Sequence, residues 1–161
     1  MRSLFLASVL ALLGNAAAAA TNATVAFDSG KFLLADRSTA AQIYVDGNDW
    51  KGVIRVANNL GLDFGRVTGR NGSVVVQNGT LAVNSSTMVL NRRAGSGAII
   101  AGTIGKSALI DGLVRAGKID VAATKGKWEA YISQVVSSPI PGVDEAIVIA
   151  GQFLFPTAPT I

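Results

Sequence analysis

Residues 98–151 decide the fold, and they read AIIAGTIGKSALIDGLVRAGKIDVAATKGKWEAYISQVVSSPIPGVDEAIVIAG. Residues 98–101 and 146–150 are continuous apolar runs without polar alternation. Runs of this kind are typical of strands that are covered on both faces of a sheet. The prolines and the glycine of residues 138–142 force a turn before the second run. The segment therefore predicts buried strands in a sheet with helices on its faces.

A short amphipathic helix is predicted to begin at Ser107 and to stop at Gly117. Asp111 and Arg115 are spaced to pair along it. Residues 127–136 are predicted to form one long strand. The apolar side of the helix consists of Leu109, Ile110, Leu113 and Val114.

An earlier strand is predicted over residues 42–45, followed by a longer helix. Asn48 or Asp49 could cap that helix, Gly61 is predicted to end it, and residues 62–67 to return to extended structure. Its apolar side would consist of Trp50, Val53, Ile54, Ala57 and Leu60, so Trp50 is expected in the core.

Asn78-Gly79 lies between two strand-like segments, residues 72–77 and 81–83, and this arrangement predicts a hairpin. With the segments above, the expected fold class is a single α/β sandwich with a mixed sheet and helices packed on it.

The first twenty residues have the pattern of a secretion signal, with Arg2 before an apolar run and an alanine tract at the end. We therefore expect a signal over residues 1–20, one α/β domain over residues 21–151, and a poorly ordered tail over residues 152–161. The expected location is extracellular. Four asparagines lie in Asn-X-Ser/Thr sequons and are candidate glycan acceptors: Asn22, Asn71, Asn78 and Asn84.

The sequence contains no His and no Cys. This composition excludes His-dependent triads and the usual zinc sites, and we predict neither a metal nor a cofactor.

A net charge of +4 with scattered basic residues does not predict a nucleic-acid partner, and no segment beyond the signal predicts a membrane span. Two carboxylates could still support glycosidase chemistry, but spacing singles out no pair among the ten Asp and Glu residues.

Two further motifs have simple structural interpretations. The segment GTIGKS, residues 102–107, has two residues between its glycines rather than the four of a phosphate-binding loop, so it predicts a tight strand-to-helix turn with Lys106 exposed. On a strand over residues 127–136, Trp128 and Tyr131 would face opposite sides and form no flat sugar-binding surface.

The chain resembles the N-terminal domain of glycoside hydrolase family 115, the xylan α-1,2-glucuronidases. The resemblance covers approximately residues 25–151. Its ordered matches are Asp49-Trp50, Gly52-Val53, Arg55, residues 63–69, residues 102–107, Ile110-Asp111, residues 126–129 and residues 141–144.

In that family the α/β domain precedes a (β/α)8 barrel, which removes glucuronic acid or its 4-O-methyl form from xylan with inversion. The catalytic carboxylates lie in the barrel, and no position of this chain matches them. From Gln152 onward the sequence departs from the family's next helix. The resemblance therefore implies a secreted glucuronidase fragment that is inactive alone. It would meet glucuronoxylan through its missing catalytic domain, and the full-length enzyme could be a homo-oligomer.

Two alternatives remain open. A stand-alone carbohydrate-binding or interaction module would need an exposed strip of aromatic side chains. A small enzyme with a site of its own would need two carboxylates that converge in a pocket.

Overall fold

The computed structural model describes residues 33–78 and 97–152. Among them, five strands form one sheet in the order β2-β1-β3-β5-β4. The strands β1, β2, β3 and β5 are mutually parallel, and β4 pairs antiparallel with β5. The elements in chain order are β1 (Gln42–Asp46), α1 (Lys51–Thr68), β2 (Val74–Gln77), β3 (Ala98–Thr103), α2 (Ala108–Arg115), a 3-10 turn (Ala122–Thr124), β4 (Tyr131–Ser137) and β5 (Glu145–Gly151).

The two helices cover opposite faces of this sheet, because neighbouring strand residues alternate between two core clusters. Ile43 of β1 packs with Ala57 of α1 on one face. Tyr44, the next residue, packs with Leu109 and Ile110 of α2 on the other face. The chain is therefore a single α/β domain with a mixed sheet and helices packed against it, as the sequence predicts.

The central strands also agree with the prediction. Ile100 and Val148 are register partners and are fully buried in the α2 cluster. Their neighbours Ile99 and Ile147 are paired in the same way, are nearly buried, and point to the α1 face. Continuous apolar sequence is required here because both faces are covered.

The predicted end of α1 is wrong. The helix continues through Gly61 and residues 62–67, and it stops at Gly69, whose φ of 82° is left-handed. Gly61 has a packing role instead, since a Cβ there would come within 2.7 Å of the carbonyl oxygen of Gly72. A glycine inside this helix allows the loop before β2 to approach closely.

The predicted strand over residues 127–136 begins too early. Residues 127–130 form a turn region, and β4 covers Tyr131–Ser137. Glu129 has a positive φ of 50°, which is incompatible with a strand.

The first half of the predicted hairpin is a strand, β2, and it pairs in parallel with β1. Its proposed partner over residues 81–83 lies outside the described residues. The predicted signal over residues 1–20 and most of the predicted tail also lie outside the described residues.

Candidate functional site at the carboxyl edge of the sheet

The carboxyl ends of β1 and β3 lie side by side at one edge of the sheet. From β1 the chain passes through α1 to β2 on one side, whereas β3 lies on the other side of β1. In open α/β sheets, ligands bind in the crevice outside such a reversal of strand order. This edge is therefore the expected position of a ligand-binding site.

Asp46, the last residue of β1, is fully buried at this edge. Its Oδ2 accepts a hydrogen bond from the main-chain N–H of Ala108, the first residue of α2. Its Oδ1 accepts one from the N–H of Asn48 at 2.8 Å. The amino terminus of a helix is where α/β proteins commonly bind a ligand's phosphate or carboxylate. Here a carboxylate of the chain itself occupies that position.

Asp49 is the second buried carboxylate and is 5 % exposed. Its Oδ2 accepts from the N–H of Thr103, and its Oδ1 from the N–H of Trp50, both at 2.7 Å. The prediction that Asn48 or Asp49 caps α1 is wrong, because the N-cap residue is Trp50 and no side-chain cap bond forms. Asp49 instead joins the turn after β1 to the end of β3.

The segment of residues 102–107 forms the predicted strand-to-helix turn. Gly105 has a φ of 77°, and its N–H donates to Oδ1 of Asp111 at 2.8 Å. Ser107 is buried and is the N-cap of α2, where its Oγ accepts from the N–H of Ile110 at 3.4 Å. In the described part of the chain, Asp111 forms no ion pair with Arg115, contrary to the predicted pairing.

Trp50 is not a core residue as predicted, because its side chain is 41 % exposed. The Nζ of Lys106, an exposed residue as predicted, lies 5.2 Å from the centroid of the Trp50 ring. That distance is typical of a cation–π contact. The contact joins the residue after Asp49 to the turn that follows Thr103.

Two further aromatic side chains are exposed where β4 begins. Trp128 and Tyr131 are 66 % and 69 % exposed. Tyr131 is the register partner of Gly151, so it lies at the same sheet edge as the end of β5. The prediction that the two residues face opposite sides of one strand is wrong, because Trp128 belongs to the preceding turn.

Two of the four sequon asparagines, Asn71 and Asn78, lie in the described residues. Asn71 lies in the loop between α1 and β2, Asn78 directly follows β2, and both are exposed. Asn22 and Asn84 lie outside the described residues.

The chemistry available at this edge is limited. Asp46 and Asp49 each use both of their oxygens to bind main-chain amides, and neither lines the depression between α2 and β4 or the one on α1. The described ranges also contain no group of three potential metal-binding side chains. Within the same ranges, no helix is long and apolar enough to cross a membrane. The geometry supports a structural role for these carboxylates.

Sequence reasoning missed this role. No local pattern links Asp46 or Asp49 to these amides, because their partners lie 62 and 54 residues away. An aspartate directly after the strand-like residues 42–45 was the one available signal. Comparison of the chain with models of known protein families gives no match, and comparison with curated proteins gives none either.

Proposed function

We propose that this chain is the N-terminal α/β domain of a secreted xylan α-1,2-glucuronidase of glycoside hydrolase family 115. In this proposal the domain supports a catalytic barrel that removes glucuronic acid or 4-O-methylglucuronic acid from glucuronoxylan. The domain itself supplies no catalytic residue.

The observation that carries the proposal is the bond between Thr103 and Asp49. The resemblance to the family rests partly on Asp49-Trp50 and partly on residues 102–107. These two segments are distant in sequence, yet the N–H of Thr103 donates to Asp49 and Lys106 lies over Trp50. The matched residues thus cooperate in one structural feature, as residues that determine a shared fold would.

The chemistry of the carboxyl edge supports an accessory rather than a catalytic role. An inverting glycosidase needs two carboxyl groups about 6.5–9.5 Å apart, with room for a water molecule and the sugar between them. Asp46 and Asp49 are buried and bound to main-chain amides. A glycosidic bond therefore cannot be placed between them without disrupting both turns.

The corresponding experiment is an assay of glucuronic acid release from glucuronoxylan by the purified chain. We expect no release above that of a sample treated identically but lacking the chain. Asp46→Asn and Asp49→Asn variants identify contamination, because a trace of another glucuronidase would be unaffected by them. Release by the chain that disappears in either variant would contradict the accessory role.

The exposed aromatic residues favour one second candidate, a stand-alone carbohydrate-binding module. Trp128 and Tyr131 both present most of their surface to solvent at the start of β4, and aromatic rings present an apolar face with a polar edge to a ligand. Affinity electrophoresis in glucuronoxylan tests this function. A module would be retarded in the gel, and Trp128→Ala and Tyr131→Ala would abolish the retardation, whereas Val67→Ala at an exposed site on α1 would not. An unretarded chain would exclude this candidate.

A further inference from the structure

A depression of about 520 Å³ lies between the end of α2 and β4, away from the carboxyl-edge site. We call it the Gln134 pocket. The residues that line it include Val114, Lys118, Ile119, Asp120, Val121 and Gln134. Its volume falls within the range of about 300–1,000 Å³ that is usual for small-molecule sites.

The wall of the pocket is fixed by local hydrogen bonds. Gly117 turns the chain with a φ of 63°, and the N–H of Lys118 donates to the carbonyl oxygen of Leu113 at 2.9 Å. Oδ1 of Asp120 then accepts from the N–H of Ala122 at 2.8 Å. Three consecutive features therefore hold the turn, so the pocket is formed before any ligand arrives.

Gln134 is the unusual residue of the pocket. It points to the α2 face of β4, on the same side as Val136, which is part of the apolar core. Its side chain is only 7 % exposed, and among the hydrogen bonds of the described residues none involves its amide group. Buried polar side chains are nearly always hydrogen-bonded, so this buried amide calls for a partner that the described residues do not supply.

The polar groups of the pocket determine which ligand chemistry fits. A carboxamide presents a donor and an acceptor side by side, which matches two neighbouring hydroxyl groups. Lys118 adds donors at the exposed rim, and Asp120 retains Oδ2 as an acceptor. Val114, Ile119 and Val121 supply an apolar wall that can contact the C–H face of a ring.

Other ligand classes fit less well. An apolar ligand would leave the Gln134 amide unpaired. A nucleotide would place several phosphate charges beside one lysine and one aspartate.

We propose that the Gln134 pocket binds a single polyhydroxylated ring, of the size and chemistry of a pyranose sugar. This proposal is independent of the proposed function, because it uses none of the residues of the carboxyl edge.

The test is a titration of the purified, isotope-labelled chain followed by nuclear magnetic resonance. The probes are methyl β-xyloside, glucose and glucuronic acid, with cyclohexanol as a six-membered ring that carries a single hydroxyl group. We expect at least one sugar to shift the amide signals of residues 117–122 and 132–136, whereas cyclohexanol does not. Absence of shifts with all three sugars would overturn the proposal, as would equal shifts with cyclohexanol.

Variants locate the site. Gln134→Leu should raise the dissociation constant for the sugar by at least about tenfold. Gln77→Leu on β2 should leave this constant unchanged. Lys118 is exposed, so Lys118→Ala retains the fold and should weaken binding several-fold, even if Gln134→Leu fails to fold. Sugar binding that neither pocket variant alters would refute the assignment. Sugar binding at this pocket would uphold the present proposal whatever the glucuronoxylan assay shows, because the glucuronidase proposal expects the chain alone to be inactive.

Discussion

The N–H of Thr103 donates a hydrogen bond of 2.7 Å to Oδ2 of Asp49, across 54 residues of sequence. The bond joins the turn after β1 to the end of β3, at the reversal of strand order where α/β proteins commonly bind ligands. Together with the bond from Ala108 to Asp46, it places two of the chain's own carboxylates at that edge.

Replacing Asp49 should destabilise the domain substantially. Asp49→Ala leaves the N–H groups of Thr103 and Trp50 without their acceptor, and Thr103 is buried. We expect a loss of about 2–3 kcal/mol in the free energy of unfolding, measured by urea denaturation at unchanged slope. Asp63→Ala is the control, because Asp63 forms an exposed pair with Arg66 and should cost less than about 1 kcal/mol. Equal effects of the two substitutions would refute the structural role of Asp49.

A charge in the central strand should prevent folding. Val148 is fully buried in β5 between β3 and β4, so Val148→Asp places an unpaired carboxylate in the core. The cost should be several kcal/mol, which is comparable to the total stability of a small domain. The matched control is Val56→Asp at a position 64 % exposed on α1, with an expected effect of about 0.5 kcal/mol or less. An unchanged melting temperature for Val148→Asp would show that the central-strand assignment is wrong.

Replacing Gly112 and Gly117, in and just after α2, by alanine should change the stability of the domain in opposite directions. Gly112 lies inside α2, where an added Cβ meets only the end of the Arg115 side chain at 4.0 Å. Gly112→Ala should therefore stabilise the domain by about 0.5–1 kcal/mol. Gly117→Ala should destabilise it by about 1–2 kcal/mol, because the φ of 63° is left-handed. The same sign for both changes in thermal unfolding would contradict the assigned end of α2.

When a eukaryotic host secretes the chain, glycans should be attached at Asn71 and Asn78, because both residues are exposed in the structure. Mass spectrometry of the intact protein should show one glycan fewer in Asn71→Gln and one fewer in Asn78→Gln. Asn59→Gln, outside any sequon, should leave the glycan number unchanged. If neither sequon variant changes the mass, the prediction that these two asparagines are glycan acceptors is wrong.

The sequence predicts the central elements well because their signals are local. The apolar runs of β3 and β5 and the start of α2 beside Ser107 follow directly from neighbouring residues. Gly61 misleads because a glycine can permit close packing as well as end a helix, and only the position of Gly72 distinguishes these roles. The parallel pairing of β2 with β1 is a non-local feature, and neighbouring residues do not specify it.

The candidate site was the least predictable part. Asp46 and Asp49 look like ordinary turn and cap residues, because their partners belong to a strand and a helix much later in the chain. Trp50 fits the apolar spacing of α1, yet it precedes the first helical residue and extends toward Lys106. Helical periodicity does not apply to a residue outside the helix.

A chimera tests the central claim most directly. Residues 21–151 of this chain replace the N-terminal domain of an active family 115 glucuronidase, and the release of glucuronic acid from glucuronoxylan is measured for the chimera, the parent enzyme and this chain alone. The account predicts a folded chimera with activity comparable to the parent, and no activity for the chain alone. An Asp49→Ala chimera should lose stability and, with it, activity on heating. A wild-type chimera that remains misfolded or inactive beside an active parent, or release by the chain alone, would contradict the account.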